Sequence, residues 1–163
     1  MHRRSIFRLC GLAVSGLLVS GLVAVGSKAG AQTAQKSAKD LIPGTWTLLI
    51  ADNVRGDGTQ VPGFGPLPKG TAKFSADGHY VLEVTPSTDG HASLSYSGSY
   101  TLDDAGKTLT LRVEDSSLPN WRGTTQTGTI KFVNADHLGW TSPVPFAASA
   151  DFTGSELIWA RAK

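Results

Sequence analysis

The residues of this chain best suited to chemistry gather in one segment, SSLPNWRGTTQ at 116–126. Trp121 offers a broad apolar face, and Arg122 a rigid fork of donors that suits a carboxylate. Pro119 and Gly123 supply turn backbone around them. Two arrangements fit these residue types. Either Trp121 and Arg122 close the end of a ligand cavity, or the indole seals a core while Arg122 pairs with Glu114 or Asp115 at the surface. Tyr80, Tyr96 and Tyr100 add polar tips to otherwise apolar strand faces, and Gln126 is in phase with Ile130 and Phe132. Buried phenols require partners. Three of them facing one interior suit a cavity for a partly apolar molecule with one polar end. Gly98, between Tyr96 and Tyr100, could instead relieve a sharp bend.

Other chemistries lack their spacing. His79, His91 and His137 are isolated, with no His-x-His or His-Glu-x-x-His, so no metal centre is expected. No Gly-x-Ser-x-Gly elbow occurs, and no Gly-rich loop joins a strand to a helix, so no cofactor is expected either. Proton transfer needs only positioned groups. An isomerase or dehydratase using Tyr96, Tyr100 and Arg122 on a hydrophobic substrate therefore stands as an alternative to simple binding. A filled barrel with a structural or envelope-interaction role is the third reading.

The elements that must position these residues have period two. Leu94, Tyr96, Gly98, Tyr100 and Leu102 share one face, and Ser93, Ser95, Ser97, Ser99 and Thr101 the other. Tyr80, Leu82 and Val84 repeat the pattern, as do Leu109, Leu111 and Val113. Asp57-Gly58, Asp77-Gly78, Asp89-Gly90 and the 103–106 cluster mark turns. Strands are predicted at 44–51, 71–76, 79–85, 93–102, 107–115, 125–134, 137–141 and 156–162, with no helix between them. Such a set must cover its apolar faces by stacking as two sheets or by curling into a barrel, and curling also removes exposed edges.

Two irregular stretches interrupt the pattern. Residues 53–70 contain VPGFGPLPKG, whose prolines exclude a central strand. Phe64 and Leu67 there either cap the barrel mouth as a lid or pack on its outside. Residues 142–155, with Pro143, Pro145 and Phe146, leave room for a short further strand.

The beginning of the chain has a different character. Arg3, Arg4 and Arg8 precede an apolar, Gly-rich run at 9–26, and Ala29-Gly30-Ala31 precedes Gln32. This is the order of an export signal at 1–31, with cleavage marked by Ala29, Ala31 and Gln32. HRRSIFR also resembles a twin-arginine motif. Residues 32–40 are expected to form a flexible tether, and 41–163 the domain. The full chain carries a formal charge of +2, but residues 32–163 hold 11 basic and 13 acidic side chains. No electropositive nucleic-acid surface is implied, and no membrane span is expected once the signal is removed. The single cysteine, Cys10, lies in the leader. The exported domain must hold by packing alone, in the periplasm or outside the cell.

LIPGTWTLL at 41–49 resembles the first strand of calycin-type barrels, where Gly-x-Trp opens the fold. DGTQVPGFGPLPKGTAKFSADGHYVLEV at 57–84, YSGSYTLD at 96–103, LPNWRGTTQTGTIKF at 118–132 and LIWARA at 157–162 are similar to the lipocalin-like domain family of bacteria and fungi. The resemblance implies an all-β fold: a single antiparallel, up-and-down barrel of roughly eight strands, closing its last strand on its first. It implies that Gly44 and Trp46 open the barrel and that Arg161 stacks over the indole at the closed end. It also implies an interior able to admit an apolar small molecule.

Overall fold

The computed structural model describes residues 36–87, 92–147 and 149–163. The leader, with Ala29, Ala31 and Gln32, lies outside the described residues, as do the Asp89-Gly90 turn and His91. Among the described residues no helix is long and apolar enough to cross a membrane.

Among the described residues nine strands form one antiparallel sheet: β1 (Gly44–Arg55), β2 (Gln60–Pro62), β3 (Lys69–Phe74), β4 (His79–Thr85), β5 (Leu94–Leu102), β6 (Thr108–Ser116), β7 (Thr125–Asn134), β8 (His137–Ser142) and β9 (Phe152–Arg161). β9 pairs with β1 from Trp46↔Arg161 to Arg55↔Phe152, so the sheet closes. β1 and β3 to β9 make the eight-stranded wall. The short β2 pairs with Asp52, Asn53 and Val54 of β1, while β3 pairs with Gly44 to Thr47. The proline-bearing stretch thus interrupts what would be one strand beside β1, because Pro62, Pro66 and Pro68 cannot donate to a ladder.

Burial follows the alternation. Along β4 the pattern is strictly exposed then buried, and in β6 Leu109, Leu111 and Val113 are wholly buried. β1 runs four residues beyond the predicted 44–51, and the reason is a bulge between Leu48 and Ile50. Trp46 and Leu48 face inward before it, and Ala51 and Asn53 after it, while Leu49 and Ile50 both face out. β9 begins at Phe152 rather than 156, with Gly154 and Ser155 buried against β1 and β8. Between β8 and β9 no further strand forms among the described residues.

The expected tether at 32–40 is partly replaced by a single helical turn, α1 (Ala38–Leu41). Ser37 caps it, accepting from Asp40 N, while the Asp40 carboxylate accepts from Ser37 N at 3.1 Å. This reciprocal pair satisfies two otherwise orphaned donors. The turn delivers Ile42 into the barrel end at 1% exposure, where its carbonyl accepts from Trp46 Nε1 at 2.9 Å. Arg161 stands over Trp46 and donates to the carbonyls of Leu41, Pro43 and Ala135. Carbonyls left open at the end of α1 are thereby satisfied.

Above this plug the interior holds a column of aromatic rings. Tyr100 meets Phe74 edge-on at 5.1 Å, Phe74 stacks on Tyr80 at 6.1 Å, Tyr80 meets Tyr96 at 5.8 Å, and Tyr96 meets Trp121 at 5.4 Å. Gly98 admits this arrangement. A side chain there would fall on the Arg112 carbonyl of β6, where the β5–β6 register shifts.

Candidate functional site

The column ends at the barrel mouth opposite α1, where the longer loops meet. Four segments build that mouth. Residues 61–64 fold in from β2: Gly63 N donates to Ala51 O at 2.8 Å, and Phe64 O accepts from Ser87 N at 2.9 Å. Phe64 is buried and meets Phe146 edge-on with ring centres 5.0 Å apart. Residues 146–147 are held by Asn53, whose buried Oδ1 accepts from Phe146 N at 2.8 Å and Ala147 N at 3.3 Å. Ser155 Oγ donates to Val144 O at 2.7 Å and pins the same loop. The segment after β6 forms a 3-10 turn, Pro119–Trp121, with Gly123 N on Val113 O at 2.8 Å. Residues 92–94 lead into β5.

Between these segments lies a recess of about 450 Å³, bordered by Asn53, residues 61–64, 92–94, Leu118, Trp121, Phe146, Ala147 and Phe152. Beneath it, a space of about 10 Å³ is bordered by Tyr96, Gln126, Trp140, Ser142, Val144, Ser155 and Leu157. Trp121 and Phe146 border both spaces. Among the described residues no Asp, Glu, Lys or Arg borders either space. Burial holds the Tyr96 phenol far above its ordinary value, with neighbouring Tyr80 adding to the shift. Tyr80 is raised in the same direction by burial and then by the charge of Glu114. Both stay protonated and can donate.

The candidate residues separate into distinct places. Trp121, Tyr96 and Gln126 come together at the mouth and the void beneath it. Tyr80 lies deeper, packed between Phe74 and Tyr96, with its hydroxyl buried and unpartnered among the described residues. Tyr100 is away from the mouth, half-buried, and donates to Ser75 O at 2.8 Å. Arg122 does not face the recess. It pairs with Asp115 on the exposed side, because the chain leaves the 3-10 turn in an extended conformation. Tyr96, Tyr100 and Arg122 therefore do not converge on one reaction centre. Phe64 belongs to the mouth, but Leu67 is 77% exposed and covers nothing there. Gly44 opens β1 beneath Arg161. Among the described residues no three His, Cys, Asp or Glu side chains gather as a metal site.

Several mouth residues carried no legible signal. Asn53 reads as the start of a loop until the β1 bulge is known, since only the bulge turns it inward. Phe146 and Phe152 lie in a stretch without periodicity. Trp140 and Ser142 follow the alternation of β8, but nothing in their spacing marks a void.

No family model matches the chain, and no curated protein matches it. Among solved structures it is similar to a redesigned β-barrel at 15% identity, covering 78% of this chain and 100% of that one with a TM-score of 0.46. A de novo designed fluorescence-activating β-barrel matches at 14% identity over 78% and 100%, with a TM-score of 0.44. A further redesigned barrel, bound to DFHBI, matches at 17% identity over 77% and 100%, also at 0.44.

Proposed function

We propose that this chain is an exported, lipocalin-like barrel that binds a small, largely apolar molecule at its mouth. The recess of about 450 Å³ carries the reading. Its size falls in the range of small-molecule sites, and aromatic walls with a few placed polar groups suit such a ligand. Gly44 and Trp46 at the start of β1, Arg161 over the indole and the closure of β9 on β1 support the lipocalin-like assignment. The basic and apolar order of residues 1–31 supports export to the periplasm or beyond.

The binding place is the mouth rather than the barrel interior, since the aromatic column occupies the latter. A second reading, a filled barrel with a structural role, is favoured by that same column. Titration with Nile red, an uncharged apolar dye, separates the two. One saturable site, weakened at least tenfold by Ala92→Trp, supports mouth binding, because Ala92 borders the recess from an exposed position outside the ladder. No saturable binding by a normally melting protein supports the filled barrel. N-terminal sequencing of the exported product tests the leader, with Gln32 expected first.

A further inference from the structure

We infer that the molecule taken at the mouth is uncharged and carries a neutral hydrogen-bond acceptor, such as a ketone, ester or amide carbonyl, which passes Phe146 and receives the indole N–H of Trp140. The inference rests on the mouth-binding reading above and names the ligand class for that site.

The indole is the starting point. Trp140 is 4% exposed, and its Nε1 has no hydrogen-bond partner among the described residues. An indole N–H can only donate, and a donor buried without an acceptor is costly enough that native proteins rarely leave one. Its position is defined by Gly128 on β7, because a side chain at Gly128 would occupy the place of Nε1. By the alternation of β7, Gln126 and Ile130 flank Gly128 on the same inward face. Trp140 and Gln126 also border the same small void, with Tyr96, Ser142 and Ser155. Gln126 Nε2 donates to Thr124 Oγ1 at 3.3 Å, which leaves its amide a second N–H. The lining of this chamber thus offers the Trp140 indole N–H and the second Gln126 amide N–H as neutral donors.

Its volume of about 10 Å³ holds no more than one small group. Larger entry requires the side chains that border both spaces to move. The Phe146 main chain is anchored by Asn53, whereas its ring rests edge-on against Phe64. Rotation of that ring would join recess and chamber without breaking a main-chain hydrogen bond.

Charge selects against acids. No ionisable Asp, Glu, Lys or Arg among the described residues borders either space, and the nearby Arg122 is engaged with Asp115. A carboxylate drawn into the chamber would lose water without gaining a countercharge. A carbonyl would lose little and would satisfy the indole.

The test uses Nile red displacement from the purified protein by 2-undecanone, undecane and undecanoate at pH 8, together with ¹⁵N spectra of the indole N–H groups. The ketone should displace the dye at least tenfold better than undecanoate and about fivefold better than undecane. In Trp140→Phe the ketone should keep no more than a twofold advantage over undecane. In the wild type, the Trp140 indole resonance should move on adding the ketone and stay in place with undecane. Undecanoate competing as well as the ketone would overturn the inference. So would an unmoved Trp140 resonance under saturating ketone, as expected if only a buried water meets the indole. If all three probes displace the dye equally, this inference fails and mouth binding stands. If neither the dye nor any probe binds, both fail.

Discussion

The guanidinium of Arg161 lies 4.2 Å from the centre of the Trp46 ring, and its donors reach the carbonyls of Leu41, Pro43 and Ala135. One side chain thus ties α1, the start of β1 and the β7–β8 turn to the last strand. Trp46 beneath it is completely buried.

Trp46→Ala should cost about 3–5 kcal/mol in urea unfolding, as deletion of a large core ring does. Arg161→Lys keeps the charge but loses the planar fork, and should cost about 1–3 kcal/mol. A melting shift of only a degree or two for Trp46→Ala would remove this plug from the list of major stabilisers.

Gly98→Ala should destabilise by about 1–3 kcal/mol, because its new methyl would meet the Arg112 carbonyl across the β5–β6 bulge. That group is main chain and cannot swing away. Ser97→Ala, an outward neighbour, is the control and should change the unfolding midpoint little. Equal effects of the two would show that the close strand approach is not limiting.

Stability should fall at alkaline pH. The Tyr80 and Tyr96 phenols are raised, by burial first, above the usual value of about 10. The unfolded chain releases these protons near pH 10, while the folded chain keeps them. Their contribution is therefore complete below pH 10 and is lost as pH rises from there towards the folded values. Urea midpoints between pH 8 and 11 should drop more steeply in the wild type than in Tyr96→Phe. Identical slopes would contradict the assignment.

Arg122→Ala should leave Nile red affinity within twofold and the melting temperature nearly unchanged, since its pair with Asp115 is exposed and screened. Trp121→Phe should reduce the ligand-dependent change in intrinsic fluorescence to what Trp140 contributes, because Trp121 borders the recess while Trp46 and Trp159 are sealed in the core. A tenfold affinity loss in Arg122→Ala would return that side chain to the site.

The strands were legible where alternation ran unbroken. β4 at His79–Thr85 and β7 at Thr125–Asn134 begin and end where their patterns do. β1 extends beyond its alternating pattern because its bulge changes the inward phase after Leu48, so Ala51 and Asn53 look out of step in a period-two reading. α1 leaves little trace in the sequence although Ser37 and Asp40 have capping-box spacing, because one turn offers no periodicity to detect. The site was less legible for a related reason. Trp121 was visible as an isolated large ring near a turn, but Arg122, adjacent in sequence, points to a different partner. Loop conformation decides between them, and residue type does not. Phe146 reaches Asn53 on one side and borders the same space as Trp140 on the other only through the closure of the barrel, which brings β1, β8 and the loop before β9 to one end.

The most direct measurement of where the molecule binds is an isotope-edited NMR titration of the protein with 2-undecanone, followed at every assigned amide. The account expects saturable shifts concentrated in residues 61–64, 92–94, 118–121 and 146–147, with amides near Phe74 and Tyr100 unchanged. Shifts centred on Phe74, Tyr80 and Tyr100, or spread over the outer strand faces, would contradict it.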